Sequence, residues 1–329
     1  MSSLQEIKIA VVGATGLVGQ GFLTILHKKY IPADNVFAVA SEKSQGATVP
    51  YGETTLSVHA LSTFDFSQCS VALFSPGASV SSVFAPKAAA QGCWVVDNTS
   101  FFRMDPDVPL VVPEVNAHAI ASAKKNIVAN PNCSTIQMVM ALKPIDDVSR
   151  LRTVIVSTYQ SVSGAGRSGV AELQRQISGD LSVARFPRQI AYNVIPQIDV
   201  FMDDGQTKEE WKMVVETQKI LRPDIAIVPT CVRVPVWRGH SESVAFELSD
   251  DVSLDELNNA IGSFPGVVLV RSLSEYVSAP DVEGRDEVFV CRLRQCGGRW
   301  YQMWVVADNL RKGAATNAIQ IAEIIATDM

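Results

Sequence analysis

Cys133 is the residue of this sequence best placed to do chemistry. It lies in Asn130-Pro131-Asn132-Cys133-Ser134, a turn signal followed at once by an apolar run over residues 136–142. That pattern predicts a buried helix that begins at or beside Cys133 and stops at Pro144. A sulfur at a helix N-terminus sits in a field that favours thiolate, the nucleophilic form, and the N–H groups of the first turn can hold a developing oxyanion. A lone cysteine is more often a small buried hydrophobe, and Cys69, Cys93, Cys291 and Cys296, in or near apolar runs, take that reading. A nucleophile needs an acid–base partner. His240 ends the segment Pro229-Thr-Cys-Val-Arg233-Val-Pro-Val-Trp-Arg238-Gly-His240, whose prolines, glycine and tryptophan make a stiff lead into a strand. His240 can serve Cys133 from there, or be a structural histidine. Arg233 and Arg238 carry the planar fork that clamps carboxylates, or else lie on the surface.

A second constellation stands near the N-terminus. Gly13-Ala-Thr-Gly16-Leu-Val-Gly19 follows an apolar run over residues 7–12 and precedes Phe22, Leu23, Ile25 and Leu26 at helical spacing. This reads as strand, tight glycine turn, helix. Gly13 permits the turn, Gly16 a close approach of pyrophosphate, and Gly19 close packing of helix on strand, with phosphates held at the helix N-terminus. An ordinary strand–helix turn is the bland alternative. The ribose end of such a site is read after the second strand, where an NAD site places a lone carboxylate. Here the stretch is Ala40-Ser41-Glu42-Lys43-Ser44. Ser41, Lys43 and Ser44 suit a 2′-phosphate, which favours NADP over NAD provided Glu42 points away.

The elements that must position these residues follow from pattern and composition. With 329 residues the chain is long enough for two domains, and 47% hydrophobic against 19% charged residues gives it the material for a sizeable core. A net charge of −6 with no Lys/Arg-rich stretch argues against nucleic acid as partner. No apolar run reaches the roughly 20 residues of a membrane span, and no signal peptide is legible, so no membrane partner is expected. Six cysteines without a CxxC pair, and four scattered histidines, give no metal site and suit a reducing cytoplasm. Strands are expected at 36–40, 70–74 (a third or fourth strand) and 93–97, with a helix over 79–91. Alternation of that kind argues for a parallel sheet covered on both faces. Beyond residue 130 a strand is expected at 153–158, then a loop at 161–169. Val170, Leu173, Ile177 and Leu181 mark a helical face. Widely spaced strands at 243–248, 288–293 and 301–307 imply a mixed or antiparallel sheet. From Asn309 onward Ala314, Ala318, Ile321, Ile324 and Ile325 repeat with helical period, and that helix is expected to return to the first domain.

Taken together the motifs are specific. GATGLVG at 13–19, DNTSFFR at 97–103, VPEVN at 112–116, NPNCS at 130–134, YQSVSGAG at 159–166, KEEWK at 208–212, RVPVWRGH at 233–240 and ADNLRKGAA at 307–315 make the chain resemble the bacterial aspartate-semialdehyde dehydrogenases over essentially its whole length. The resemblance implies an α/β protein: a Rossmann-like N-terminal nucleotide-binding domain and an α+β C-terminal domain of the glyceraldehyde-phosphate dehydrogenase type. It places an NADP-binding domain at 1–129, completed by a C-terminal helix at 309–329, and a catalytic and oligomerisation domain at 130–308. It implies a homodimer, or a homotetramer, in the cytoplasm. The implied reaction is the reversible conversion of L-aspartate 4-semialdehyde, phosphate and NADP+ to L-4-aspartyl phosphate and NADPH. The reductive direction leads to lysine, threonine, methionine and diaminopimelate.

By the same resemblance Cys133 is the nucleophile, His240 the acid/base and Gln160 the group that orients substrate and thioester. Arg233 binds the substrate carboxylate and Glu209 its amino group. Arg103 and Lys212 hold phosphate, with Asn132 beside them. NADP falls to Gly13, Thr15, Gly16, Leu17, Val18, Gly19, Ser41, Lys43 and Ser44, with Gly164 and Asn309 toward the nicotinamide. The family usually has arginine where this chain has Lys43, a change that keeps the charge and loses the fork. Two other readings stay open at this point. One is N-acetyl-γ-glutamyl-phosphate reductase, whose blocked amine has no need of Glu209. The other is a non-catalytic relative, whose mark would be loss of the cysteine or histidine.

Overall fold

The structure, a computed structural model, describes residues 3–272 and 274–328. The chain divides into two compact units, Met1–Pro131 with Ala314–Met329, and Asn132–Gly313. In the first unit β1 (Ile9–Val12) leads through the glycine turn into α1 (Leu17–Lys28). Then come β2 (Val36–Ala40), β3 (Thr48–Tyr51), β4 (Thr54–Ala60), β5 (Val71–Phe74), α2 (Ala78–Ala90), β6 (Trp94–Asp97), the single turn α3 (Pro113–Asn116) and β7 (Ile127–Ala129). The sheet order is β3-β4-β2-β1-β5-β6-β7, parallel except where β3 runs against β4. β1 and β5 are buried at every position, as strands covered on both faces must be. β1 has β2 on one side and β5 on the other. It is therefore the switch point of the sheet, the place where ligands of such folds bind at the strand ends. The Gly13 turn lies there.

The strand at 70–74 is the fifth, not the third or fourth. The missed pair is β3 and β4, an edge hairpin whose outward residues are exposed and which carries Pro50. Half-exposed strands with a proline at an edge give a weak pattern.

The second unit opens with α4 (Cys133–Val148). It continues with β8 (Leu151–Gln160), α5 (Arg167–Ile177), α6 (Lys208–Ile220), β9 (Ala226–Arg233), β10 (His240–Leu248), α7 (Leu254–Ser263), β11 (Val267–Val270), β12 (Val288–Gly297) and β13 (Trp300–Ala307). These strands form a mixed sheet in the order β11-β12-β13-β10-β8-β9. β8/β9 and β11/β12 are parallel, and the central pairs are antiparallel. α4, α6 and α7 cover one face. On the other face Ile155, Tyr159 and Val228 are exposed.

Three details differ from expectation here. α4 does not stop at Pro144 but carries it, buried, and runs one turn further to Val148. Proline forfeits a bond to the preceding turn, and burial of the ring offsets that loss. α5 ends at Ile177, and both Ile177 and Leu181 are exposed. Its buried face is Gly169, Glu172, Leu173 and Gln176. Glu172 accepts the N–H groups of Ala184 and Arg185, and Gln176 Oε1 those of Ile190 (2.9 Å) and Ala191 (3.0 Å). Polar residues thus anchor the following segment where apolar ones were expected. Cys296 is exposed, not a buried hydrophobe, because it lies beside the Gly297–Gly298 turn of the β12–β13 hairpin.

After a single π-turn at Arg311–Ala315, α8 (Thr316–Asp328) completes the first unit. Its Ala318, Ile319, Ile321, Ala322 and Ile325 join the core formed by β1, α1, β2 and β5. Asn317 fixes its start, donating to the Val111 oxygen and to Asn130 Oδ1.

Candidate active site

Asn132 caps α4, its Oδ1 accepting the N–H groups of Ser134 (2.9 Å) and Thr135 (3.4 Å). Cys133 is therefore the first residue of the helix, half-buried at the positive end of its dipole. The cap also corrects one expectation. The first-turn N–H groups of Ser134 and Thr135 are engaged by Asn132, so they are not the donors that would hold an oxyanion. Gly313 runs alongside: a Cβ built there would stand 3.0 Å from the Cys133 Cβ.

Asn132 also starts a buried polar network. Its own N–H meets Glu216 at 2.7 Å, and its Nδ2 meets Glu209 Oε1 at 2.8 Å. Glu209 Oε1 further accepts from Gln160 Nε2 (3.2 Å), while Oε2 faces Lys212 Nζ (3.2 Å), one turn along α6. Lys212 reaches on to Asp199 at 2.8 Å. Burial alone would push the Glu209 carboxyl up. Lys212, the Asn132 amide and Arg233 outweigh it and hold the group below the usual carboxylate range.

Gln160 ends β8 in register with Arg233, which ends β9. Arg233 is buried, donates from Nη1 to the Ser161 oxygen at 2.6 Å, and lies within the fields of Glu209 and Cys133. Burial draws its pKa below the ordinary arginine value, yet a guanidinium stays charged. His240 opens β10 with no exposed surface. Its Nδ1 accepts the Ser161 N–H at 3.1 Å, and Nε2 is buried without a partner among the described residues. Burial, then the Arg233 charge, lowers its pKa to about 3, so the ring is neutral near pH 7. A neutral ring that accepts at Nδ1 carries its proton on Nε2.

The segment after β8 seals these groups. Val162 N–H and Ser163 N–H bond to the Val236 and Trp237 oxygens. That lacing puts Gly164 against the two functional side chains, where a Cβ would lie 2.9 Å from Arg233 Nη1 and 3.2 Å from His240 Nε2. Asn309 braces the same corner. Its Oδ1 accepts from Ser161 Oγ, Ser163 Oγ and the Gly239 N–H, and its Nδ2 donates to Ser163. Cys133, Gln160, Gly164, Glu209, Lys212, Arg233, His240, Asn132 and Asn309 thus all belong to the second unit. Sequence reasoning missed Ser161, Asp199 and Glu216. The first meets His240 Nδ1 through its main-chain N–H and its hydroxyl, and the other two carry no motif.

Arg103, the glycine turn at 13–19 and the stretch 41–44 belong to the first unit. Arg103 is buried, its Nε donating to the Asn130 oxygen (3.0 Å) and Nη2 to that of Asn98 (3.1 Å). At the glycine turn Gly13 has φ +86°, and a Cβ on Gly19 would strike the Gly13 oxygen at 2.1 Å. Gly16 is the N-cap of α1 and puts no side-chain oxygen over Leu17, Val18 and Gly19. The first turn of that helix therefore suits a phosphate. Thr15 stands within the turn, half-buried. Ser41 and Lys43 are exposed after β2, with Ser44 half-buried. Glu42 is bonded to the Ser62 hydroxyl, which lowers its pKa.

Family models match in two stretches: a semialdehyde dehydrogenase NAD-binding domain at 8–123 and a semialdehyde dehydrogenase dimerisation domain at 142–312. Aspartate-semialdehyde dehydrogenase 2 of Vibrio cholerae is 48% identical, the match covering 98% of this chain and 99% of that one. Aspartate-semialdehyde dehydrogenase of Legionella pneumophila is also 48% identical, over 98% and 96%. The crystal structure of aspartate semialdehyde dehydrogenase II from Vibrio cholerae complexed with ASA superposes with a TM-score of 0.95 at 47% identity, covering 98% of each chain.

Proposed function

The chain belongs to the aspartate-semialdehyde dehydrogenase family, and from that premise we propose that it interconverts L-4-aspartyl phosphate with L-aspartate 4-semialdehyde and phosphate, using NADP and a thioester on Cys133. The observation that carries the reading is the pair of opposite buried charges, Arg233 and Glu209, that bear on one another beside Cys133 and His240. A substrate with one α-carboxylate and one α-ammonium needs that pairing. An N-acetylated substrate would leave Glu209 without a role.

In the reductive direction the Cys133 sulfur attacks the acyl carbon, phosphate leaves, and a thioester remains. Gln160, held by Glu209 and Thr158, orients it. NADPH, when bound, supplies the hydride. His240 acts as the acid–base group, its resting Nε2–H donating to the substrate oxygen as charge builds there. Collapse of the thiohemiacetal frees aldehyde and returns the sulfur as thiolate. Arg103 and Lys212 take the phosphate, with Asn132 holding the cap and Glu209 in place.

Gly13, Thr15, Gly16, Leu17, Val18 and Gly19 would hold the pyrophosphate, and Ser41, Lys43 and Ser44 the 2′-phosphate. The Ser62 bond that occupies Glu42 supports NADP over NAD. Gly164 and Asn309 serve the nicotinamide end, Asn309 through the loop it braces. We assign a homodimer to the open sheet face with Ile155, Tyr159 and Val228. A tetramer of such dimers is the larger assembly that fits, and the cytoplasm the compartment. The reaction would feed lysine, threonine, methionine and diaminopimelate synthesis.

The test quenches enzyme with aspartyl phosphate in the absence of NADPH and maps the adduct by mass spectrometry. One aspartyl group on the Cys133 peptide is expected. Turnover with no adduct on any cysteine would remove the thioester, and preference for the longer N-acetylated acyl phosphate would remove the substrate.

A further inference from the structure

Glu242 lies on β10 two residues after His240, so the two side chains leave the strand on the same face. It is fully buried, and neither carboxyl oxygen has a hydrogen-bond partner among the described residues. Among the described residues β8, β13 and α4 pack against β10. β8 brings Thr158 opposite Glu242, β13 brings Val305, and α4 brings Gln137, the polar side chain that bears on the carboxyl. None of these is charged. The titratable neighbours are His240 on its own strand and, on β9 beyond β8, the Cys231 thiol, on which Glu209 and Glu210 also act.

Gln137 follows Cys133 by four residues and so shares its face of α4. It too is fully buried. Its Nε2 donates to the main-chain oxygen of His240 at 3.3 Å, while its Oε1 has no partner among the described residues. Three buried oxygens therefore lack donors: both of Glu242 and the one of Gln137. If Glu242 is ionised, all three are acceptors and one spare amide N–H serves them. A single added proton changes the count. The acid O–H donates to Gln137 Oε1, the second Nε2–H of Gln137 donates to the acid carbonyl, and every atom is satisfied. An ionised carboxylate buried with no countercharge is the costlier alternative.

We propose that Glu242 is a neutral carboxylic acid and a positioning residue: paired with Gln137, it fixes the helix that begins at Cys133 to the strand that begins at His240. The proposal rests on the reading of Cys133 and His240 as the reacting groups. Burial pushes the Glu242 pKa well above the ordinary value of 4.5, in the direction the pairing requires. The native state keeps a proton that the unfolded chain loses near pH 4, so this contribution to stability is whole below that pH. It falls as pH rises toward the native pKa, by about tenfold in the folded-to-unfolded ratio per pH unit.

The experiment uses the full chain with Glu242→Gln and Glu242→Leu. Infrared spectra at neutral pH are expected to show a protonated-carboxyl band in the parent that Glu242→Gln lacks. Urea unfolding from pH 5 to 8 should show the parent losing stability relative to Glu242→Gln as pH rises. Glu242→Gln, which can rebuild the pair through its amide, should keep kcat within about threefold. Glu242→Leu, which cannot, should lose at least about tenfold in kcat with KM unchanged. Identical infrared spectra together with parallel pH–stability curves would overturn the proposal, as would a Glu242→Leu enzyme with parental kcat. If Glu242→Leu does not fold, the two measurements on Glu242→Gln decide alone. Neither needs catalysis, so failure here is separable from failure of the Cys133 reading.

Discussion

Replacing Gly164 by alanine tests the geometry of the site with one methyl group. Gly164 lies in a 3-10 turn, and its φ is not in the left-handed region, so alanine strains no backbone. The new Cβ would stand 2.9 Å from Arg233 Nη1 and 3.3 Å from His240 Cε1. Neither neighbour yields readily. The ring is pinned through Nδ1 by the Ser161 N–H, and the guanidinium by its 2.6 Å bond to the Ser161 oxygen. The loop cannot back away without breaking its bonds to Val236 and Trp237. The guanidinium is the tighter contact and must shift, at the expense of a charge-assisted hydrogen bond worth about 1.5–3 kcal/mol. That converts to a loss of about ten- to 150-fold in kcat/KM for the semialdehyde. Steady-state kinetics in the oxidative direction, with NADP+ titrated by fluorescence and thermal melting as a check on folding, measures it. A Gly164→Ala enzyme within about threefold of the parent would refute the packing argument. If NADP+ affinity fell while semialdehyde kinetics stayed whole, Gly164 would serve the cofactor alone.

Cys133→Ser should fold, bind NADP and lose nearly all turnover. In a Cys296→Ser background, which removes the exposed competitor, one equivalent of thiol reagent should label Cys133 and abolish activity in step. Labelling of a buried cysteine in parallel with inactivation would move the assignment. Lys43→Ala should weaken NADPH about tenfold or more while sparing NADH, because one charge-assisted bond is lost; equal weakening of both would contradict a 2′-phosphate contact. Arg103→Ala and Lys212→Ala should raise the phosphate requirement, whereas Arg233→Lys should impair semialdehyde use. Three variants with the same loss of cofactor binding and nothing else would place all these residues in the wrong pocket.

Some of this protein is legible in its sequence, for physical reasons that differ by element. The Gly13 turn reads clearly because Gly19 has no substitute at 2.1 Å from a carbonyl oxygen. The start of α4 reads clearly because a turn and a capping asparagine precede an apolar run. The β3–β4 hairpin does not, since its outer positions face solvent and mimic a loop. α5 misleads because its buried face includes Glu172 and Gln176, polar residues satisfied by backbone that lies 12 to 15 residues ahead. Lys212 was assigned from its motif, but its partner Asp199 comes from an irregular segment with φ +70° that no periodicity marks. Ser161 meets His240 through its main-chain N–H and its hydroxyl, contacts of a loop serine that no periodicity marks.

The position of α8 in the chain has a consequence for how the protein is made. Residues 132–313 form one continuous stretch, so the unit that carries Cys133 can gather its long-range contacts within its own sequence. The nucleotide-binding unit cannot. Ile319, Ile321, Ala322 and Ile325 belong to its core, and they leave the ribosome only after the whole of the other unit has been synthesised. Until then a hydrophobic groove on the β1–β5 region stands uncovered, and closing it requires joining residues about three hundred positions apart, an entropically slow step. The unit with the nucleophile can therefore complete its core first, while the unit that begins the nascent chain still exposes apolar surface.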